Sequence, residues 1–518
     1  LTTVAHDIDQ TVRFSLRDYP ALNPFALDWV RGTGSAAEFL SPFDPERVRH
    51  CPGPPDGELV AALRDSNRAW GNDVDDALRE WGAGSSIAII AGQQVGFAGG
   101  PLLVLSKIAT EIRIREELGR SGKKATCFFW LATEDHDYAE VARARLLDRD
   151  GAVRVVRPAE PGPVGRAVGQ LTLPESLRRQ WIELTGMTEE RWLRPGINFR
   201  DSFAELLSEV LRGHDVVLVD AILPRLRQLG SPLFRSMLGR LPEIEAEIAS
   251  RSRVLTAAGY QPQIVPAADG HYSLFYRLSP EGIRQPIRVD QVAPDVLTRL
   301  LDESPEQIST GALARPLLQD FVFKPGVFVG GPAEIAYYAQ IGTLHEMSGV
   351  PMPELAMRAH VLVAPRRVLG TMQKFAVSPA ELFEGADAIL QRRDEDRIHR
   401  FEGEVSALND ILATDLTRIQ GEIEKADPTQ ARPMQRLRRH FEKDLARLRV
   451  RGKKALVRSD AERFAAITRL VETLAPEGVP QDRELNWVQF WKKYGAALMA
   501  TLIREAVPSP TEAVIAGL

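Results

Sequence analysis

Apolar and polar positions follow one texture up to about residue 380 and another beyond it. In the first, short apolar runs are cut by glycine turns and followed by amphipathic stretches, the pattern of alternating strands and helices. The run Ile87–Ala91 stops at a loop holding Gly92, Gly96, Gly99 and Gly100, and Pro101 opens a helical pattern reaching about Leu118. A second run, Phe128–Ala132, ends abruptly in Glu134, Asp135, His136 and Asp137. Strand, glycine loop, helix, strand and a burst of ionisable groups predict an open parallel sheet, whose ligands bind beyond the carboxyl ends of the strands. The loop and the ionisable tetrad are therefore expected to form two walls of one active site.

Upstream, Pro20, Pro24, Pro42, Pro45, Pro52, Pro54 and Pro55 break residues 1–55 into an irregular wrap, and Leu59–Trp81 reads as one helix. Downstream, Ala152–Val156 reads as a strand and residues 158–198 as an insertion with a helix near Pro174–Leu184. The core resumes with a helix at Ser202–Arg212 and a strand at Val216–Asp220, whose terminal carboxylate belongs at the same rim. A helical region, Leu223–Ala258, precedes alternating strands at Tyr272–Leu278 and Ile287–Asp290, so that 223–300 forms a second insertion. Val327–Val329 is a short strand, Gly330-Gly331 a tight turn, and Pro332 the first position of a new helix. Glu334 falls in that helix's first turn, with Tyr337 and Tyr338 at helical spacing from it, which suggests a second site wall.

From Ala380 onward the spacing alternates between threes and fours through Leu390, Ile398, Phe401, Val405, Leu408, Leu412, Leu416, Ile419 and Ile423. Asp427-Pro428 interrupts it, and Met434, Leu437, Phe441, Leu445 and Leu448 restart it. This repeat predicts two long helices folded into an antiparallel coiled-coil hairpin. Leu485–Leu502 reads as a final helix that docks on the core or on a second subunit. The expected class is α/β, with a core over residues 1–378, a helical hairpin over 379–475 and a C-terminal segment over 476–518.

Composition narrows the function classes. A chain of 518 residues exceeds one ordinary core, and 44% hydrophobic with 26% charged residues is usual for a globular protein. A net charge of −5 and a pI near 6.1 carry no nucleic-acid footprint. Two cysteines, Cys51 and Cys127, cannot build a disulfide framework, which fits a reducing cytosol, and Cys127 reads as a buried inert thiol. The N-terminus lacks the regions of a signal peptide, and no apolar run approaches the roughly 20 residues that span a bilayer. The expectation is a cytoplasmic protein with neither a membrane nor a nucleic-acid partner.

The loop GQQVGFAGG matches neither G-x-G-x-x-G nor a P-loop. Its glycines still let backbone approach a ligand, the following helix offers free N–H donors, and Gln93 and Gln94 both donate and accept hydrogen bonds. A tight turn with no ligand is the plainer alternative. If the strand continues through the tetrad, Glu134 and His136 face one side, and Asp135 and Asp137 the other. Such groups are costly to bury unpaired, so they belong at a rim, against cations or on a metal, the plainer alternative being a solvated, helix-capping acidic turn. Carboxylates suit Mg²⁺ beside a nucleotide phosphate, and His136 suits a general base near neutral pH. Arg315 and Arg358 each suit a bidentate clamp on carboxylate or phosphate. No G-x-S-x-G elbow and no H-E-x-x-H helix is present.

The segments AGQQVGFAGGPLLVLSK, FFWLATEDHDYAEV, RPLLQDFVF, GGPAEIAYYAQ, VPMPELAMR and RELNWVQFWKKYG occur in this order from about residue 85 to near the end. Together they resemble the bacillithiol biosynthesis cysteine-adding enzyme family, the BshC cysteine ligases. The resemblance implies a Rossmann-like core with inserted connecting segments, a coiled-coil domain and a homodimer. It implies a ligase that joins the carboxyl of cysteine to the amine of glucosaminyl-malate, with ATP as activating cosubstrate and Mg as its companion. Within it, Gln93, Gln94, Gly96 and Gly99 line the ligand loop. Asp135, His136 and Asp137 bind the amine or a metal, or move a proton, with Glu134 beside them. Gly330, Gly331 and Glu334 close the opposite wall, with Tyr337 on the same helix; Arg315 and Arg358 are candidates from their chemistry alone, each otherwise a surface or structural arginine. Two alternatives remain: a nucleotide-dependent ligase or transferase acting on a different amine or thiol, and a coiled-coil interaction protein.

Overall fold

The computed structural model describes residues 11–49, 53–279, 282–288 and 294–518. The first ten residues, Cys51, Pro52 and the end of the expected strand Ile287–Asp290 lie outside the described residues. The chain divides into two compact units, one formed by the residues up to Ala364 together with Val479–Leu518, the other by Pro365–Gly478.

The first unit is built on five parallel strands: β1 (Ile87–Gln93), β2 (Ala125–Leu131), β3 (Val216–Asp220), β4 (Val327–Gly330) and β5 (Glu354–Met357). Their order across the sheet is β5-β4-β1-β2-β3. The apolar runs of β1 to β4 are buried almost throughout, as strands covered on both faces must be. The chain steps outward from β1 through β2 to β3, then returns to the other side of β1 for β4 and β5. The order thus reverses between β1 and β4, and a crevice opens there beyond the strand ends. Helix α1 (Leu103–Arg120) follows β1 and helix α2 (Pro332–Ser348) follows β4, so both helices start at that crevice.

Several elements differ from the sequence expectation for local reasons. The single helix Leu59–Trp81 is two, Gly57–Trp70 and Asp75–Gly82, because Gly71 ends the first in the left-handed region at φ 79°. The region Leu223–Ala258 is likewise two helices, Pro224–Leu238 and Leu241–Ala257. Val153–Val156 pairs antiparallel with Ala144–Leu147, and Phe275–Leu278 lies between Arg284–Pro286 and Ile308–Thr310 in a separate small sheet. The final helix breaks at Gly495 (φ 54°) into Val488–Tyr494 and Ala496–Glu505. A strand then follows at Glu512–Gly517, antiparallel to Thr11–Ser15 and parallel to Val361–Ala364.

The second unit is helical. Its long pair is α3 (Glu395–Ala426) and α4 (Ala431–Val457), and α5 (Ala461–Leu474) follows. Asp427 accepts the Thr429 amide at 3.0 Å and closes the turn between α3 and α4. The Phe401 ring occupies the space where a Cβ on Gly452 would stand, and Glu402 pairs with Lys453. This register makes the pair an antiparallel coiled-coil hairpin.

Candidate active site

The crevice between β1 and β4 holds a cavity of about 530 Å³. Its walls are the loop after β1, the start of α2, the segment after β2, and Arg483, Glu484 and Asn486 of the C-terminal segment. At Gly92, the last residue but one of β1, a Cβ would stand 2.9 Å from the Trp130 carbonyl oxygen, so β1 fits against β2 there only without a side chain. Farther along, Gly99 has φ 81°, and the Trp487 ring fills the place of its Cβ. The Trp487 indole donates to the Gly99 carbonyl at 2.7 Å, and the Asn486 amide to that of Ala98 at 2.8 Å. Gly99 therefore faces Trp487 and does not line the cavity, whereas Gln93, Gln94 and Gly96 do.

Lys107, one turn into α1, joins the two strand-end loops. Its ammonium donates to the Gly92 carbonyl at 2.6 Å and to Gln93 Oε1 at 3.0 Å, and it pairs with Glu334. Glu334 in turn accepts the Gly331 amide at 2.7 Å, capping the start of α2. Burial pulls the Lys107 pKa below its ordinary value, with Glu334 opposing. With three acceptors around it, the ammonium is saturated, and the Gln93 carbonyl is committed to it. Sequence reasoning missed this residue; the available signal was one lysine among Val104, Leu105, Ile108 and Ala109, all buried on the same helix.

The tetrad does not continue a strand. β2 stops at Leu131, and tight turns return the Thr133 amide to the Leu131 carbonyl and the Asp135 amide to that of Ala132. The expected alternation of Glu134 and His136 against Asp135 and Asp137 is thereby replaced by four divergent side chains. Glu134 is buried, paired with Arg227 at 2.6 Å and accepting the Thr310 hydroxyl at 2.9 Å. Asp135 faces the cavity and accepts the Gln94 amide at 2.7 Å. Burial pushes the Asp135 carboxyl up, but the bonds from Gln94 and from the Asp137 and His136 amides outweigh it and hold its pKa below the usual value. His136 lies outside the lining, its Nδ1 3.1 Å from Arg284 Nη1. Asp137, also outside the lining, accepts the Glu140 amide at 3.0 Å and caps the short helix Tyr138–Val141. That cap brings Glu140, another residue missed from sequence, to within 3.0 Å of the Gln94 amide that Asp135 also holds.

On the opposite wall, Gly331, Glu334, Tyr337, Arg315 and Arg358 line the cavity. Gly330 ends β4 outside the lining, where a Cβ would press on Phe328 and Glu334. Arg315 donates to the Tyr337 hydroxyl at 3.2 Å, and burial holds the Tyr337 phenol above its ordinary pKa, with Arg315 opposing. Arg358 is 1% exposed and donates from Nη1 to Asp482 at 2.8 Å. Even with Asp482 counted against Arg358, the cations Lys107, Arg143, Arg145, Arg315, Arg358 and Arg483 outnumber Asp135, Glu140, Glu334, Glu484 and Asp482 around the cavity by one. Their balance favours an anionic ligand.

Among the described residues no group of three or more His, Cys, Asp or Glu could hold a metal ion, and no helix is long and apolar enough to cross a membrane. Cys127 is buried in β2, and burial pushes its thiol up to about 12, away from nucleophile chemistry.

A parallel sheet that reverses beside a cavity, together with a separate coiled-coil hairpin, defines a Rossmann-like core and a helical unit. Residues 46–359 match the family model described as bacillithiol biosynthesis BshC, N-terminal Rossmann-like domain, and residues 361–515 match the BshC C-terminal coiled-coil domain. The chain belongs to the BshC family of bacillithiol biosynthesis. It is 28% identical to the "Putative cysteine ligase BshC" of Solibacter usitatus over 86% of each chain. The protein of the same name from Salinibacter ruber is also 28% identical, over 89% of this chain and 88% of its own. That of Bacillus cereus is 24% identical over 79% of this chain and 80% of its own.

Proposed function

We propose that this protein is an ATP-dependent cysteine ligase that joins the carboxyl of cysteine to the amine of glucosaminyl-malate, acting in the cytoplasm as a homodimer. The observation that carries the reading is the cationic cavity at the β1–β4 reversal, in a chain of the BshC family. Both substrates and ATP carry carboxylates or phosphates, which suit Arg315, Arg358 and the arginines at the mouth. Gln93 keeps its amide N–H groups for the ligand because its carbonyl is held by Lys107.

Amide formation needs the cysteine carboxyl activated, as an acyl-adenylate or an acyl-phosphate. The sugar amine then forms the C–N bond, the activated oxygen leaves with the C–O electron pair as AMP or phosphate, and the amine loses a proton. Asp135 is the tetrad member that faces this chemistry; its carboxylate orients the amine and passes that proton on to solvent, a relay suited to a carboxyl held below its usual pKa. His136 and Asp137 shape the loop that presents Asp135, through Arg284 and the Tyr138–Val141 cap. Mg²⁺ usually takes one or two protein carboxylates beside phosphate oxygens, and the Asp135–Glu140 pair gathered by Gln94 fits that donor set. Glu140, the exposed member, would hold the ion, which would neutralise phosphate charge. Exposed apolar side chains on α3 and α4, among them Ile411 (60%), Leu437 (45%) and Phe441 (40%), support the arm as the dimer contact.

The test is to incubate the purified chain with cysteine, ATP and glucosaminyl-malate and follow amide product by mass spectrometry. Release of AMP or of ADP distinguishes the two activation routes. Product with another amino sugar or amine, and none with glucosaminyl-malate, refutes the proposed substrate.

A further inference from the structure

The C-terminal segment RELNWVQFW lies far from the glycine loop in sequence yet forms one wall of the cavity. The residues just before and within it are anchored one by one. Gln481 accepts the Val363 amide at 2.8 Å and donates to the Val363 carbonyl at 2.8 Å, as a neighbouring strand would. Glu484 pairs with Arg145 at 2.8 Å. Asp482, 0% exposed, accepts Arg358 Nη1 at 2.8 Å on one oxygen and the Tyr19 hydroxyl at 2.5 Å on the other. Arg358 Nη1 also donates to the Ala359 carbonyl at 2.9 Å.

A buried ion pair is a poor device for stability, because desolvation offsets its attraction and apolar replacements often do as well. It is a good device for fixing a planar guanidinium at one place and angle. Here the fixed group stands in the wall of the cavity, with its Nε 3.9 Å from where a Cβ on Gly331 would stand, at the start of α2. Asp482 is fully enclosed and outside the lining, so it acts on a ligand only through Arg358.

We infer that Asp482, braced by Tyr19, is a positioning residue that holds Arg358 toward the anionic group of the ligand, so that the C-terminal segment sets the affinity of the cavity. The inference rests on the proposal that this cavity binds anionic substrates. It assigns to a segment after the coiled coil a part in recognition.

The test uses the full chain and two measurements. Calorimetric titration with ATP and with malate gives binding, and steady-state kinetics with glucosaminyl-malate give kcat and KM. Asp482→Asn is expected to weaken binding of at least one of these anions about tenfold, the scale of one aligned charge-assisted hydrogen bond. KM for the same anion rises in parallel, while kcat at saturation stays within about twofold, a split that a general loss of structure does not produce. In an Arg358→Gln background the Asp482 substitution should add nothing. Tyr19→Phe keeps both charges and the fold and should weaken the same anion by a smaller factor. Wild-type affinity in Asp482→Asn, or equal losses in both backgrounds, overturns the inference; if that variant does not fold, unchanged affinity in Tyr19→Phe does so. A wild-type chain that binds these anions and loses them on substitution, yet makes no amide, refutes the proposed reaction and leaves the positioning role standing. A chain that binds no anion refutes both.

Discussion

Lys107→Met is the most informative single substitution. It leaves a side chain of similar length in a site where Lys107 is 3% exposed, so packing is largely retained while the charge is lost. Glu334, the Gly92 carbonyl and Gln93 Oε1 then lose their common partner. Removing one member of a buried pair costs about 3–5 kcal/mol. Glu334 keeps the Gly331 amide and is 18% exposed, so the lower end, about 3 kcal/mol, is expected. Urea unfolding followed by tryptophan fluorescence reads this as a lower midpoint. Replacing both charges, with Lys107→Met and Glu334→Gln together, should recover at least half of the loss, because the stranded carboxylate is then gone. A single-variant loss below about 1 kcal/mol, the scale of an exposed pair, would show that the two loops are not tied through Lys107. Additive losses in the double variant would refute the coupling.

Other outcomes follow from the same geometry. Asp135→Asn should lower product formation by about 100-fold or more, the usual scale of a lost acid–base group, whereas His136→Ala and Asp137→Ala should cost less than about tenfold. Equal losses in all three by quantitative product assay would restore the whole tetrad to the chemistry. Burial raises the Glu111 carboxyl well above its ordinary pKa. A raised carboxyl favours folding below the unfolded pKa of about 4.3 and loses that advantage as pH rises toward the folded value. Glu111→Gln should therefore gain on the wild type in urea midpoints as pH rises above about 4.3, and a gap that narrows over that rise contradicts the assignment. Gly99→Ala forces a side chain into the Trp487 ring at φ 81°, and faster proteolysis within residues 479–518 is the expected readout.

Four strands of the sheet were legible in the sequence because β1 to β4 are continuous apolar runs, and both glycine turns sit where the reading placed them; β5, Glu354–Met357, opens on a carboxylate after two prolines and offered no such run. The alternation expected of the tetrad if β2 ran through it fails because period two holds only inside a strand, and β2 ends before Thr133; Asp137 instead caps a helix, as the plainer alternative had it. Lys107 was hidden because a lysine within an apolar helix gives no motif, only a breach of pattern. The part played by Gly99 depends on Trp487, a partner 388 positions away that no local rule identifies. The closing strand Glu512–Gly517 is six residues long and pairs only with distant segments, so periodicity alone could not separate it from a tail.

The Gln481–Val363 clasp has a consequence for how the arm can be handled. The chain leaves the core after Ala364 and re-enters it at Val479, and the residues just inside these two points are hydrogen-bonded neighbours. Residues 365–478 are thus a detour between adjoining stations of one sheet-and-loop body. A bridge of a few flexible residues from Ala364 to Val479 would preserve the course of the core chain, and it would give a single-body version in which ligand recognition is measured without the helical unit.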